Sequence, residues 1–490
     1  MSNQNRFENK VVNLEGYQLL KQRRQEDKQV DKISYVINQK NLKVWSYIKD
    51  EFQMQSLYQN IQVEFKEQTT IFEIVYECFQ AYLENKIQIS QLEIVIGDCC
   101  QVEIDELKII SNLLCRCVNL KVLKIEAKVN AFKCHHIQVL LNEIQLLSQL
   151  NTIYFNFSCN QLSDQSVIFI CNQLKNMHLL TNLTLNISNN SISNYGIAQL
   201  ARSLKSCENL QILSISIYKN LFDDQGISQI FLGISFCKRI SSLCIKLFGS
   251  RIGLNSVQSF VALLQNNSNL RSLSLDLSFT EIENNLFLQI SKSIKEFLRL
   301  DSIEMNISGI QIQGQIVNQF SDHLAQLLTL QSLRIYFYQN EAKIDKSCYQ
   351  YFTQKIKQLQ QITKLELDLS ENVLDIDCIQ NMFLNLNELP KISIFTLNLK
   401  NNQIGLQFLQ QLNQSLKINC HLSNLNLQLI KQNLSDDCYR EMFNLVKKFK
   451  ALKKLSLTLN QNMLQQNQGL DNFKKSIKKL KYLVFYQIKV

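Results

Sequence analysis

The sequence predicts an α/β solenoid: a parallel sheet on one face, helices on the other, in about 13 repeats of 30 residues. Three observations predict it. Apolar residues alternate at period two in short segments, the pattern of a half-buried strand. A second apolar set at helical spacing follows each segment. The pair then returns at a nearly constant interval along most of the chain, the mark of a repeat architecture.

The strand segments fix the phase. Leu180, Leu183, Leu185 and Ile187 recur as Leu210, Leu213, Ile215 and Ile217, and again as Leu270, Leu273, Leu275 and Leu277. First residues fall at Ile89, Leu120, Leu150, Leu180, Leu210, Ile240, Leu270, Leu300, Leu330, Ile362, Ile392, Leu422, Leu452 and Leu480. Successive spacings are 31, then 30 seven times, 32, 30 three times, and 28. Behind the strands, Ile197, Leu200 and Leu204, or Val257, Phe260 and Leu264, lie on one helical face. One strand and one helix in constant order give a parallel sheet with helices on one side. A single unit cannot bury both its apolar faces, so stacking supplies the core.

Ten residues after each start stands a small polar residue: Cys99, Asn130, Asn160, Asn190, Asn220, Ser250, Thr280, Asn340, Asn372, Asn402, Gln432 and Asn462. Ile310 interrupts this column. A buried polar group needs hydrogen-bond partners, and an amide can serve the backbone of its own turn and of the next. The column resembles the asparagine ladder of the leucine-rich-repeat family. The long helical half resembles that family's ribonuclease-inhibitor-like subclass, over about residues 89–490. The resemblance implies a horseshoe whose concave sheet binds a partner. The subclass places its Asn or Cys eight residues after the first Leu, where this chain uses ten, so the unit reads as carrying two extra strand residues. Fourteen strands at ~4.8 Å give an inner edge of roughly 65 Å, which suits a protein-sized partner.

Upstream, Tyr58, Ile61, Val63 and Phe65 fit the strand pattern one period before Ile89. Residues 31–88 therefore read as an N-terminal cap with a degenerate repeat, residues 1–30 as a polar tail, and 89–490 as the repeat domain. A single proline, Pro390, argues against Pro-rich linkers.

The net charge of +10 is uneven: from Glu441 to Val490, eleven Lys stand against Glu441 and Asp471. The polar start MSNQNRFENK lacks the apolar stretch of a signal peptide. The fifteen cysteines have no framework-like spacing. Both observations predict a cytoplasmic or nuclear protein with reduced thiols, not a secreted one.

Signs of catalysis are scarce. There are five His and eleven Gly, with no glycine-rich phosphate loop and no nucleophile motif. Cys99, Cys100, Cys115, Cys117, Cys134, His135 and His136 suggest zinc. The plainer reading makes Cys99 part of the polar column and Cys117 part of a buried column with Cys207, Cys237 and Met177. Neither a metal nor another cofactor is expected.

The concave face, four and six residues after each start, is mostly small and polar. The stretch from Asp276 to Asp368 differs: Asp276, Glu304, Glu366 and Asp368 flank Arg334, Tyr336 and Tyr338. Tyr and Arg are favoured interface anchors, so this is the candidate protein-binding patch, weighed against polar strand residues simply facing water. Lys474, Lys475, Lys478 and Lys479 alternate with Phe473, Ile477 and Leu480 at helical spacing. They read as a solvated helix face that also protects the last strand's edge, or as a contact for nucleic acid or an anionic membrane. That last strand could also pair two copies edge to edge. Scaffold or adaptor is the leading reading. A regulator or inhibitor of an enzyme such as a GTPase, and an anionic-partner binder, are the alternatives.

Overall fold

The computed structural model describes residues 33–37, 60–65, 90–98, 102–297, 299–340, 344–372, 374, 376–386, 388–402, 405–415, 421–430, 435–459 and 468–489. The chain forms two units, Met1–Ile240 and Ser241–Val490. Each is a stack of strand–helix repeats of the predicted kind.

In the first unit the strands Ile33–Ile37, Asn60–Phe65, Gln91–Ile96, Val122–Glu126, Thr152–Asn156, Asn182–Asn186 and Ile212–Ser216 pair in parallel and in chain order. In the second, Ser242–Lys246, Ser272–Asp276, Ser302–Asn306, Ser332–Tyr336, Lys364–Asp368, Ile394–Asn398, Asn424–Leu429, Lys454–Leu459 and Phe485–Lys489 do the same. From Asn182 onward, a helix follows each strand except the last, as Asn194–Leu204 follows Asn182–Asn186 and Gly314–Leu324 follows Ser302–Asn306.

The alternation works as the sequence implies. Leu183 and Leu185 are buried on the helix side, while Thr184 and Asn186 are half-buried on the other. Ile197, Leu200 and Leu204 close the core from the helix. Each such side chain removed from water contributes about 1.5–3 kcal/mol, and adjacent repeats share the benefit. The upstream strand expected around Ile61 is present, and a further one, Ile33–Ile37, precedes it.

The last repeat corrects the phase. Phe485 pairs with Lys454 and Tyr486 with Leu455. The residue equivalent to Leu452 is therefore Leu483, not Leu480, and the final spacing is 31 rather than 28. The turn bonds agree: the Leu452 amide donates to the Phe449 carbonyl at 3.1 Å, as Leu483 does to Leu480 at 3.1 Å. Leu480 occupies the apolar position three residues earlier.

The asparagine ladder forms. Asn190 donates from Nδ2 to the carbonyls of Phe157 and Ile187, both at 3.0 Å, and its Oδ1 accepts from the Leu162 amide at 2.9 Å. Asn160, Asn220, Asn372 and Asn402 likewise bond both their own and the preceding turn. Asn130 donates to Lys128, and Asn340 donates to Ile307 and Phe337. Asn462 lies outside the described residues. Where Ile310 replaces the amide, the Ile312 amide turns to the Ile310 carbonyl at 3.0 Å, and Oδ1 of Asn340 is left unpaired. Where Ser250 and Thr280 replace it, a short parallel pair, Arg251–Ile252 with Glu281–Ile282, joins the turns instead.

The two extra residues per unit extend the backbone ladder past the strand. The Ile187 amide bonds the Ser216 carbonyl at 3.0 Å, and Asn189 bonds Tyr218 at 2.8 Å. The ninth residue after each start from Leu120 to Ile392 then turns left-handed: Val129, Cys159, Asn189, Lys219, Gly249, Phe279, Gly309, Gln339, Glu371 and Asn401 all have φ between 53° and 64°. Glycine adopts this freely and Asn tolerates it. For the other side chains it costs about 1–3 kcal/mol.

A further ladder, at the helix starts, escaped the sequence reading. The Asp164 carboxylate accepts from the Ser193 amide at 2.7 Å and from its hydroxyl at 2.6 Å. Asn194 accepts from the Asp223 amide at 3.1 Å and donates to its carboxylate at 2.9 Å. In the second unit Asn284 accepts from Gln313.

Candidate functional site

In-register parallel strands put equivalent residues side by side, about 4.8 Å apart. Glu304 pairs with Arg334, and Arg334 with Glu366; in the next open-face row Asn306 pairs with Tyr336, and Tyr336 with Asp368. Arg334 is thus a cation between two carboxylates. Its Nη1 donates to Glu304 Oε2 at 2.8 Å. Its Nε lies 3.4 Å from Glu366 Oε2, an ion-pair distance outside hydrogen-bonding geometry. The Tyr336 hydroxyl donates to the other Glu366 oxygen at 3.2 Å. Burial, then the charges of Glu366 and Glu304, push the Tyr336 phenol well above its ordinary range.

The side chains of Arg334 and Glu304 are each 34% exposed, and that of Glu366 25%. Ion pairs at such exposure contribute about 0–1 kcal/mol. The apolar core, not this cluster, holds the strands.

Two of the expected carboxylates serve their own turns. Asp276 Oδ1 accepts from the Ser278 amide at 3.0 Å and from its hydroxyl at 2.5 Å. Asp368 accepts from the Ser370 amide at 2.9 Å, from the Ser370 hydroxyl, and from Asn398 at 2.9 Å. Both lie on the open face with one oxygen committed to the turn. Asn186 and Asn306 bond their turns in the same way.

Tyr338 sits beyond the strand, at the loop edge. Burial, then the charge of Glu371, raises its phenol. Its ring lies 6.3 Å from that of Phe279, which lies 5.4 Å from that of Phe248. Phe248, Phe279 and Glu371 were not expected at the site, because apart from Tyr338 only residues four and six after each start were read as facing out. The available signal was Gly249 and Gly309, glycines at the same repeat position as Phe279.

The other candidates lie elsewhere. Lys474, Lys475, Lys478 and Lys479 are on or just after the helix Gln468–Lys478, which buries Leu470, Phe473 and Ile477. Lys475, Lys478 and Lys479 are exposed, while Lys474 is half-buried. Cys99 and Cys100 lie outside the described residues. Of the rest of that cluster, Cys117 donates to the Leu113 carbonyl at 3.3 Å, and His136 Nδ1 accepts from the Lys133 amide at 3.0 Å. Among the described residues no group of three or more His, Cys, Asp or Glu is arranged to hold a metal. The eleven described cysteines are all free thiols. Among the described residues no helix is long and apolar enough to cross a membrane.

No protein-family model and no curated protein matches the chain. Among solved structures it is similar to a chain in the crystal structure of the Rad7 and Elc1 complex in yeast. That match has 12% identity and a TM-score of 0.41, and covers 94% of this chain and 97% of that one.

Proposed function

We propose that this protein is an interaction scaffold or adaptor that holds a protein partner on the open sheet face around Arg334 and Tyr336. One observation carries the reading. Across three adjoining strands a half-exposed Arg, a Tyr and two carboxylates are fixed by mutual bonds, yet exposed ion pairs add little to stability. Such a preformed group loses little side-chain freedom on contact, and Arg and Tyr are frequent interface anchors.

Affinity capture from native cell extract tests this, comparing wild type with the double variant Tyr336→Ala/Tyr338→Ala at low and raised salt. A defined protein retained by the wild type at raised salt and lost by the variant is the expected result. Equal capture by both removes the reading.

A second reading has its own observation, the exposed lysines Lys475 and Lys478 on one helix and Lys479 just after it. An anionic partner there, nucleic acid or acidic lipid, gives affinity that falls steeply with salt. Such affinity is abolished when Lys474, Lys475, Lys478 and Lys479 become Glu.

A further inference from the structure

We infer that the loop edge beside this face is an aromatic strip, Phe248–Phe279–Tyr338, that docks an extended partner segment bearing Lys or Arg side chains. The inference rests on the reading that the adjoining sheet face is the contact surface. It adds what kind of partner that surface takes.

Phe279 is the starting observation. It stands at the left-handed position of its repeat with φ 55°, and it is 40% exposed. The flanking repeats use Gly249 and Gly309 at that position, with φ 63° and 64°. Their backbone does the same work: the Gly249 amide bonds the Ser278 carbonyl at 2.9 Å, and the Phe279 amide bonds Ser308 at 2.8 Å. Beside Gly249 the space a side chain would enter is open, and the turn still closes. The turn therefore does not need a ring at 279. A bulky side chain in this backbone region is uncommon and strained.

The ring's surroundings are ordered around it. It lies over Gly309, where a Cβ would come within 2.5 Å of it. Phe248 stands 5.4 Å to one side at 53°, and Tyr338 6.3 Å to the other at 61°. The three rings line one edge of four consecutive repeats.

Charge selects the occupant. Along these repeats and the next two, five carboxylates (the four on the open face and Glu371) stand against four cations, Lys246, Arg334, Lys364 and Lys400. Arg334 is already shared between Glu304 and Glu366, and Lys400 lies 3.3 Å from Glu371. The face is net negative and its edge is aromatic. A cationic side chain is attracted both to the carboxylates and to the ring faces. The rings of Phe279 and Tyr338 lie 6.3 Å apart, which an extended chain covers in about two residues. The matching segment carries Lys or Arg at every second position, on one face of the extended chain.

The test uses the full chain and two fluorescein-labelled Gly-Ser peptides, one with Arg at every second position and one with Glu there. Fluorescence anisotropy is followed at low and raised salt. The Arg peptide should bind, lose affinity with salt, and weaken at least about tenfold in Phe279→Gly. That variant restores the residue type of the flanking repeats, so a thermal midpoint equal to or above wild type shows that lost binding is not misfolding. Indistinguishable binding of the two peptides, or Arg-peptide binding unchanged in Phe279→Gly, overturns the inference. If these fail while capture of a protein partner still depends on Tyr336 and Tyr338, the sheet-face reading stands and only this inference falls.

Discussion

The ring of Phe279 occupies the space that a side chain at Gly309 would fill, since a Cβ there would come within 2.5 Å of it. Gly249, one repeat before Phe279, has nothing within 4 Å of the same point. Gly309→Ala and Gly249→Ala therefore share a left-handed backbone penalty of about 1–2 kcal/mol. Only Gly309→Ala must also displace a ring. Urea unfolding should find Gly309→Ala the more destabilised by about 1 kcal/mol or more. Equal losses would mean that the ring moves aside without cost.

The ladder amides carry a larger load. Asn190→Ala leaves the Leu162 amide and the Phe157 and Ile187 carbonyls without their amide partner. The expected loss is about 2–3 kcal/mol. Thr280→Ala removes one hydroxyl bond, to Leu277, and the short strand pair beside it remains. It should cost about 1 kcal/mol. A reversed order in the two unfolding midpoints would show that the side-chain ladder does not carry the turns.

Arg334→Ala should leave stability within about 1 kcal/mol of wild type, because the cluster it joins is half-exposed. A loss of about 3 kcal/mol or more would mark Arg334 as structural and weaken the case that the cluster is there to bind.

His323 supplies a pH dependence. Its Nδ1 lies 2.5 Å from the hydroxyl of buried Ser291. Burial, then the charge of Lys295, lowers its pKa from the ordinary 6.5; Lys292 adds to the shift, while Asp322 and Glu296 oppose it. The unfolded chain therefore takes up the proton first as pH falls. The contribution is fully present above 6.5 and is lost as pH drops from there through the depressed folded value. His323→Gln should flatten that part of the wild-type decline. Parallel declines in the two proteins would contradict the assignment.

Thiol reactivity should follow burial. Burial pushes the thiols of Cys171 and Cys237 up to about 12 and that of Cys207 to about 11, while Cys159 is exposed. Alkylation with peptide mapping should mark Cys159 early, and Cys171, Cys207 and Cys237 only on unfolding. Early marking of Cys237 would mean that the helix layer opens locally.

The period, the strand–helix order and the amide column were legible because each is a repeated one-letter pattern. The final phase was not. Leu480 and Leu483 are both apolar, and only the pairing of Phe485 with Lys454 separates them. The helix-start ladder escaped because its partners, such as Asp164 and Ser193, differ in kind from repeat to repeat. At the site, register alone brings Glu304, Arg334 and Glu366 together, so that cluster could be read from spacing. Phe279 could not, because its position gains meaning from a backbone angle that the sequence marks only through glycines in the flanking repeats.

The central claim, a protein partner on the open face around Tyr336, is met most directly by hydroxyl-radical footprinting of the full chain with and without its captured partner. The account predicts protection of Tyr336 and Tyr338 on binding, with Tyr195 and the Lys475–Lys479 helix face unchanged. Protection confined to that helix face, with Tyr336 and Tyr338 as reactive as in the protein alone, would contradict it.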